Sequence, residues 1–269
     1  MSIDGNDAGM PSWVDLTSPD PVATVRFYSE LFGWSPWSLG PADITGGYVV
    51  FRFHDRDVAG VSRSRADQAS SWTIYFGVRD ADETETAVIA HGGSTLVPPT
   101  ERADNRRMAL LSDPEGAVFG VWEADPHPDD DATGSLGTMC WQQLMSRDVA
   151  GASAFYGAVF DWVATPHVSV TPYGSSMYTV LSQSGRDVAG MVQIDPSWSA
   201  SLPAHWMVYF AVEDCDAAAA HAIELGGELS IEPDKLLDLG RTAVLGDPHG
   251  AVFSVMVPDL RLIRRAIVH

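Results

Sequence analysis

The apolar and polar positions of this chain change their period repeatedly, and each change predicts a new element. Apolar residues alternate along residues 12–17, which predicts a half-buried strand. Asp20 and Pro21 follow, and they suit the N-cap and the first turn of a helix. Apolar residues then recur at helical spacing as far as Gly33, a residue type that commonly ends helices. The pattern further predicts strands at residues 48–53, 58–61, 72–78, 108–111 and 117–122, and a helix at residues 80–91.

The same pattern occurs twice along the chain. The repeated blocks are displaced by 128, 130 or 134 residues, and this small drift places insertions in loops, where they are well tolerated. A period this long predicts two homologous domains rather than a solenoid of short repeats. The residues that differ between the two copies therefore become informative about function. The repeated blocks are Trp13 with Trp141, Phe27-Tyr28 with Phe155-Tyr156, Asp57–Gly60 with Asp187–Gly190, Tyr75 with Tyr209, and Asp113–Phe119 with Asp247–Phe253.

The duplication also predicts the domain boundaries. We expect a first domain over residues 10–123 and a second over residues 138–260, sizes that are usual for single domains. Residues 124–137 between them are rich in Pro, Asp, Gly and Ser, a composition typical of a solvated linker. Residues 261–269 are basic, and we expect them to form a C-terminal tail.

Composition narrows the classes of partner and the location. The formal net charge of −20 over 269 residues argues against nucleic acid, because the phosphates would be repelled. Apolar runs fall far short of the roughly 20 residues that a membrane-spanning helix needs, and no signal peptide is recognisable at the N-terminus. Two cysteines, Cys140 and Cys215, cannot form a disulfide framework, and we expect both to act as small buried apolar residues. We therefore predict a cytoplasmic protein with neither a nucleic-acid nor a membrane partner.

Three motifs, each present in both halves, carry a family resemblance. They are the Phe-Tyr and Leu-Phe-Gly-Trp positions of the first helix, the second helix ending in Gly-Gly, and the Asp-Pro-x-Gly-x-x-Phe hairpin. In this order and in duplicate, they resemble the vicinal-oxygen-chelate superfamily, which contains glyoxalase, extradiol dioxygenases and bleomycin-resistance proteins. The chain looks most like the actinobacterial two-domain branch described as glyoxalase/bleomycin-resistance/dioxygenase-like, and the resemblance covers nearly its whole length.

The resemblance implies an α+β fold of tandem duplicated domains. Each domain would hold two βαβββ units that curl into a half-barrel around a cavity. The two domains would be related by a pseudo-twofold axis, so that one chain supplies the interface that single-domain relatives make by dimerising. The resemblance therefore implies a monomer that acts as a pseudo-dimer, or a homodimer.

The metal-dependent members of this superfamily take His, Gln or Glu ligands from the first strand of a unit and from the face of its last strand. Counting from the motifs places Trp13 and Trp141 at the first-strand positions, and Gly120 and Ser254 at the last-strand positions. None of these is a ligand of Zn²⁺, Ni²⁺ or Fe²⁺. We therefore predict no metal and no cofactor, which argues against glyoxalase and dioxygenase chemistry. The positions counted on the neighbouring strands are Gly60, Thr73, Gly190 and Met207.

Strand parity predicts what lines the cavity instead. Residues two apart on a strand face the same side, so that Trp13 shares a face with Asp15 and Trp141 shares one with Gln143. Apolar walls with a few polar groups are typical of a small-molecule pocket, and flat aromatic ligands stack well on aromatic side chains. We predict binding of a small hydrophobic or aromatic molecule, with core filling as the alternative role of the tryptophans. The candidate ligand-binding residues are Trp13, Tyr75, Trp122, Trp141, Gln143, Met207 and Tyr209.

Two residues are candidates for catalysis. Asp15 would place a carboxylate beside the aromatic lining, which is unfavourable unless the group is paired or used. His205 shares the face of Met207, and imidazole titrates near neutral pH. Three functions stay open. The first is a metal-free binding protein. The second is an enzyme, either a metal-dependent lyase or dioxygenase, or a cofactor-independent isomerase, cyclase or hydrolase that uses Asp15 or a histidine. The third is a scaffold whose cavities are collapsed.

Overall fold

A computed structural model describes residues 9–66, 68–101, 107–123, 135–171, 174–195, 202–236 and 240–258. Most of the predicted linker, residues 124–134, and the whole predicted tail, residues 261–269, lie outside the described residues. Within the described part of the chain, no helix is long and apolar enough to cross a membrane.

The first half forms one eight-stranded mixed sheet in the order β2-β3-β4-β1-β5-β8-β7-β6. Its two central strands, β1 and β5, are antiparallel, and each pairs on its other side with a parallel strand, β4 or β8. This order results from two βαβββ units joined through β1 and β5. The elements are β1 Pro11–Ser18, α1 Pro21–Phe32, β2 Ser35–Ser38, α2 Ala42–Thr45, β3 Val49–Phe53, β4 Arg56–Arg63, β5 Ser71–Val78, α3 Ala81–Ala90, β6 Ser94–Glu101, β7 Arg107–Ser112 and β8 Val118–Glu123.

The second half repeats this sheet, in the order β10-β11-β12-β9-β13-β16-β15-β14. The tandem α+β duplication predicted from the sequence is therefore confirmed. The elements are β9 Met139–Ser146, α4 Val149–Phe160, β10 Val163–Thr171, β11 Gly174–Gln183, β12 Arg186–Gln193, β13 His205–Ala211, α5 Cys215–Glu224, β14 Glu228–Leu236, β15 Gly240–Gly246 and β16 Val252–Pro258.

Strands β2 and β6 of the first sheet were not predicted. Both lie at the edges of the sheet, and both contain proline, Pro36 in β2 and Pro98-Pro99 in β6. Proline lacks the N–H that a central strand needs, but an edge strand tolerates it. The prolines therefore argued against strands at these two places, although the structure pairs both segments with a neighbouring strand.

The ends of helix α1 follow the predicted capping. The side chain of Asp20 accepts hydrogen bonds from the backbone N–H groups of Val22 and Ala23, and Gly33 ends the helix with a φ of 73°. A left-handed φ of this size favours glycine, so the sequence marks both ends of the helix.

The main hydrophobic core lies between the two halves, and the helices pack into it. Tyr28 on α1 of the first half packs against Phe253 of the second, with ring centroids 5.5 Å apart. In the reciprocal contact, Tyr156 on α4 packs against Phe119, at 5.8 Å. Trp34 and Trp162 are buried in this core, as expected from the sequence. The two halves therefore fold onto each other as a single core with pseudo-twofold symmetry.

A hydrogen-bonded chain crosses the interface of the halves in each direction. The Trp206 indole N–H donates to the hydroxyl of Tyr156 at 2.9 Å, and that hydroxyl donates to Asp113 Oδ2 at 3.1 Å. The reciprocal chain runs from Trp72 through Tyr28 to Asp247, at 3.0 and 3.4 Å. The tyrosine of each Phe-Tyr motif therefore donates a hydrogen bond to the aspartate of the Asp-Pro motif in the other half.

We expect these two aspartates to make stability depend on pH. Burial raises the pKa of Asp113 and of Asp247 above the ordinary value of 3.8, although hydrogen bonds from the backbone lower it. A raised pKa means that the folded state binds protons more tightly than the unfolded state does. The contribution of each protonated aspartate to the free energy of unfolding is therefore fully present below the unfolded-state pKa. It is lost as the pH rises through the folded-state pKa.

Urea unfolding of the wild type and of the double variant Asp113→Asn/Asp247→Asn, from about pH 4 to about pH 7, measures this contribution. The stability of the variant should rise relative to that of the wild type as the pH increases. A difference in stability that does not change with pH would contradict the raised pKa values.

Candidate functional site

The face of each sheet that is turned away from the helices carries most of the predicted site residues. We call these the first and the second helix-free face. In the first sheet, the strand register pairs Trp13 with Tyr75, and Asp15 with Thr73 on one side and with Gly60 on the other. Tyr75 in turn pairs with Gly120. Strand parity therefore brings these side chains together on the first helix-free face, as predicted. Trp122, two residues beyond Gly120, lies on the same face.

Asp15 is held in place by two aromatic side chains. Its Oδ1 accepts a hydrogen bond from the hydroxyl of Tyr48 at 2.5 Å and another from the indole N–H of Trp13 at 2.8 Å. Burial, and then the charge of Asp15, raise the pKa of Tyr48. Tyr48 therefore remains a neutral hydrogen-bond donor at physiological pH. Asp15, Trp13 and Tyr48 are all half-buried, so that this hydrogen-bonded group is partly open to solvent.

Two glycines make room for the rings of the first helix-free face. A Cβ atom at Gly60 would lie 1.9 Å from the Tyr48 hydroxyl and 2.2 Å from Asp15 Oδ1. A Cβ atom at Gly120 would lie 2.1 Å from the ring of Tyr75. All three distances are far shorter than a real contact of a Cβ atom. The ring of Tyr75 therefore covers the last-strand position from which metal-dependent members of the superfamily take a ligand.

The second helix-free face repeats the arrangement without the carboxylate. The indole N–H of Trp141 donates to the hydroxyl of Tyr178 at 2.9 Å, and that hydroxyl lies above Gly190, 1.7 Å from where a Cβ would stand. Gln143 occupies the place of Asp15 and pairs with Gly190 across the strands. Burial raises the pKa of Tyr178, which stays protonated.

This second face is more closely packed than the first. Met207, Tyr209 and Met256 form a small buried cluster, against which Trp141 packs. Gln143 is buried as well, whereas the corresponding Asp15 is half-buried. The predicted cavity lining is thus largely filled by its own side chains in the second half and is partly open in the first.

The two catalytic candidates lie on different sheets. Asp15 is on β1 of the first helix-free face. His205 begins β13, at the rim of the second, where its Nδ1 lies 2.9 Å from the carbonyl oxygen of Pro203. The core between the halves separates the two faces, so that the structure does not bring this carboxylate and this histidine together.

The sequence analysis did not single out Tyr48 and Tyr178, which the structure places at the centre of the two faces. A signal for them was present. They are displaced by 130 residues, as are the repeated blocks Asp57–Gly60 and Asp187–Gly190. Their importance was hidden because a tyrosine beside a strand, like Tyr48, or within one, like Tyr178, is ordinary. The neighbours of such a tyrosine on other strands are not evident from the sequence.

A distinct cavity of about 270 Å³ lies where the two halves meet, away from both helix-free faces. Glu115 lines it, and its carboxylate accepts hydrogen bonds from the backbone N–H groups of Arg147 and Asp148 at the start of α4. The carboxylate thereby caps that helix, where a negative charge is favourable. The position of the Glu115 carboxylate is therefore explained by its hydrogen bonds across the interface of the two halves.

Comparison with known proteins identifies the family. The sequence profile described as "Glyoxalase-like domain" matches twice, over residues 13–122 and 141–256. The chain belongs to this family. Both matches begin at the tryptophans of the two faces, Trp13 and Trp141, and the family lies within the superfamily that the sequence motifs indicated.

Relatives span almost the whole chain. CFP32 of Mycobacterium tuberculosis, which carries a provisional glyoxylase name, is 35% identical over 93% of this chain and 95% of its own. The anthracycline biosynthesis protein DauV of Streptomyces sp. strain C5 is 34% identical over 92% of this chain and 93% of its own.

Solved structures share the fold at low identity. The 2,3-dioxygenase LapB from Pseudomonas sp. KL28 aligns over 93% of each chain with a TM-score of 0.63 and 14% identity. The Mn(II)-bound glyoxalase from Novosphingobium aromaticivorans aligns over 94% of this chain and 83% of its own, with a TM-score of 0.63 and 15% identity. At this identity the likeness shows the fold alone.

The side chains at the positions counted on the two helix-free faces do not form a set of metal ligands. Asp15 is the single carboxylate among the positions compared on the two faces, and its Oδ1 is bonded to Trp13 and Tyr48. One group of three acidic side chains does converge elsewhere in the described part of the chain, within 4.8 Å. In that group Asp80 caps α3, Asp82 pairs with Arg107, and Glu123 accepts from the Ala81 N–H. These structural roles account for the three carboxylates.

Proposed function

We propose that this glyoxalase-like protein binds a small aromatic or hydrophobic molecule on its first helix-free face, without a metal. The observation that carries the proposal is the rigid placement of one carboxylate among rings. Asp15 is fixed by Trp13 and Tyr48, on a half-open face that also holds Tyr75 and Trp122. The rings would stack with a flat ligand, and the fixed Asp15–Tyr48 pair would orient a hydroxyl group of that ligand.

The difference between the two faces supports placing the ligand on the first. Both faces have a glycine beneath the first tyrosine, Gly60 under Tyr48 and Gly190 under Tyr178. Only the first has a second glycine, Gly120, which leaves room for the ring of Tyr75, where the second face has Ser254. A pre-organised surface binds without first losing the entropy of ordering its side chains. The second face lacks the carboxylate, and its rings pack against methionine.

The relatives add a chemical class to the proposal. DauV is named for anthracycline biosynthesis, and anthracyclines are flat, fused aromatic molecules that carry phenolic hydroxyl groups. A ligand of this shape matches an aromatic face with a hydrogen-bonding group at its centre. We therefore propose a hydroxylated polycyclic aromatic molecule as the ligand class.

The alternative function is catalysis by the same residues. The 2.5 Å contact between Tyr48 and Asp15 would let the pair move a proton to or from a bound hydroxyl or carbonyl group. The reaction class would then be a cofactor-independent isomerisation or cyclisation, with Asp15 as the base and Tyr48 as the acid. A ligand that is recovered unchanged favours binding, and a ligand that is rearranged favours catalysis.

Titration with dihydroxyanthraquinone, followed by tryptophan fluorescence and by native mass spectrometry, tests the proposal. We expect saturable quenching by the wild type. The Asp15→Asn variant should bind about tenfold more weakly, because a hydrogen bond to a charged acceptor is lost. Asp43→Asn is the matched control, since it removes the same charge from the exposed helix α2, and it should bind as the wild type does.

If the Asp15→Asn and Asp43→Asn variants bound dihydroxyanthraquinone with equal affinity, Asp15 would not be part of the binding site. A wild type that shows no saturable quenching would refute binding of this ligand class on the first helix-free face.

A further inference from the structure

Two neighbouring glutamines on β9 have opposite environments. The amide of Gln142 points into the core and donates to the backbone carbonyl of Val188. Gln143 points to the second helix-free face and is only 5% exposed. Its Nε2 contacts the sulfur of Met145 at 3.2 Å, and its Oε1 has no hydrogen-bond partner among the described residues.

The poor pairing of Gln143 lowers the stability of the fold. A thioether sulfur is a weak acceptor, so that the contact with Met145 satisfies the amide nitrogen poorly. A buried acceptor without a partner destabilises the folded state, because the hydrogen bonds it made to water are not replaced. Most buried polar groups in folded proteins are paired, and one that is not calls for an explanation. A leucine would fill the same place at no such cost, which points to a use for the amide.

The surroundings of Gln143 show what the amide could recognise. The hydroxyl of Tyr178 lies above Gly190, the residue that pairs with Gln143 across the strands. In the first half, the corresponding Tyr48 hydroxyl and Asp15 carboxylate bond to each other. In the second half, the amide of Gln143 instead reaches Met145. An unpaired amide oxygen and a phenolic hydroxyl therefore occupy neighbouring places on this face. The other polar side chains placed on it are those of Tyr209 and Ser254, residues that pair across the strands.

The walls of this face are adaptable. Met145, Met207 and Met256 are buried there, and a methionine side chain has three rotatable bonds that let it repack around a guest. The residues named on this face, Gln143 and Tyr178 included, are uncharged, and burial raises the pKa of both Tyr178 and Tyr209. A neutral ligand would be desolvated at low cost here, whereas an ion would not.

We infer that the second helix-free face is a separate binding site for a small, flat, neutral molecule with adjacent hydrogen-bond donor and acceptor atoms, as in a lactam. The Gln143 amide forms the hydrogen-bonded pair with the N–H and C=O edge of this ligand. The methionines and the rings of Trp141 and Tyr209 cover its faces. This site is independent of the one proposed on the first helix-free face, which binds through a carboxylate.

Carbostyril, a flat bicyclic lactam, is the probe, and quinoline, which lacks the N–H and the carbonyl group, is its control. Tryptophan fluorescence and thermal unfolding are measured for the wild type, Gln143→Leu and Gln142→Leu. We expect the wild type to bind carbostyril at least tenfold more tightly than quinoline. Gln143→Leu should lose that preference and unfold at a higher temperature. Gln142→Leu should unfold at a lower temperature, because Val188 loses its donor, and should keep the preference.

Three results would overturn the inference. The first is equal affinity of the wild type and Gln143→Leu for carbostyril. The second is no saturable binding of carbostyril to the wild type, in which case Gln143 is only an unpaired amide. The third comes from native mass spectrometry with carbostyril and dihydroxyanthraquinone together. If the two sites are separate, a complex of the protein with both ligands should form. If each ligand excludes the other, both bind on one face and the inference is wrong. Failure of dihydroxyanthraquinone alone to bind would count against the first face and not against the second.

Discussion

Replacing Asp113 with alanine is expected to lower the free energy of unfolding by about 3 kcal/mol. Its carboxylate accepts hydrogen bonds from the backbone N–H groups of Glu115 and Ala117, at 2.9 and 2.8 Å, and from the hydroxyl of Tyr156 at 3.1 Å. Alanine removes all three acceptor contacts in a place that water does not reach easily. The loss is smaller than the sum of three bonds, because removing the buried carboxylate also removes its desolvation cost.

Chemical denaturation of Asp113→Ala and Asp113→Asn at neutral pH measures this effect. The asparagine oxygen retains the backbone hydrogen bonds, so that Asp113→Asn should lose less than about 1 kcal/mol. Because Tyr156 belongs to the other half, unfolding of both halves should shift together in Asp113→Ala. Equal stability of the alanine and asparagine variants would contradict a role for the accepted hydrogen bonds, and separate unfolding of the halves would contradict the shared core.

Replacing Trp141 with alanine is also expected to lower the free energy of unfolding by about 3 kcal/mol. Its ring packs against the buried cluster of Met207, Tyr209 and Met256, and its N–H donates to Tyr178. Alanine would leave a cavity among buried side chains that can only partly collapse. The binding of dihydroxyanthraquinone should change little, since that ligand is proposed to bind on the first helix-free face.

Trp13→Ala is the matched variant, since Trp13 is the counterpart of Trp141 in the first half. Its indole N–H contacts Asp15 and Tyr48, which are half-buried, whereas Trp141 packs against a buried cluster. The stability loss should therefore be smaller than for Trp141→Ala. Dihydroxyanthraquinone should bind Trp13→Ala about tenfold more weakly, because a stacking surface is lost. The opposite pattern, with binding lost in Trp141→Ala and stability lost in Trp13→Ala, would exchange the roles of the two faces.

Much of the fold could be predicted because its signals are local or repeated. The helix between Asp20 and Gly33 is marked by a cap at each end, and the Asp113–Phe119 hairpin is marked by its turn residues. Their recurrence in the second half made the duplication evident. Edge strand β6 was missed because its Pro98-Pro99 pair reads as a break, and only pairing with β7 makes it a strand.

The candidate site could be predicted in part. Strand parity alone placed Trp13 with Asp15, and Trp141 with Gln143, and the structure keeps both pairs on their helix-free faces. Parity could not supply Tyr48, because that residue directly precedes β3 and its side chain reaches Asp15 across Gly60 on β4. Which residue lies opposite which is fixed by strand order and register, and these depend on contacts far apart in the chain.

The sequence by itself determined that the chain is two copies of one α+β domain, and that Trp13 and Trp141 occupy equivalent places in the first strand of each copy, because periodicity, turn residues and repetition are local features of the sequence. Only the tertiary structure decided that each Tyr of the Phe-Tyr motif bonds to the Asp of the other half, and that the first face is half-open while the second is packed. Both outcomes depend on how two sheets and their helices pack against each other, and packing is a property of the assembled chain that local residue patterns do not encode.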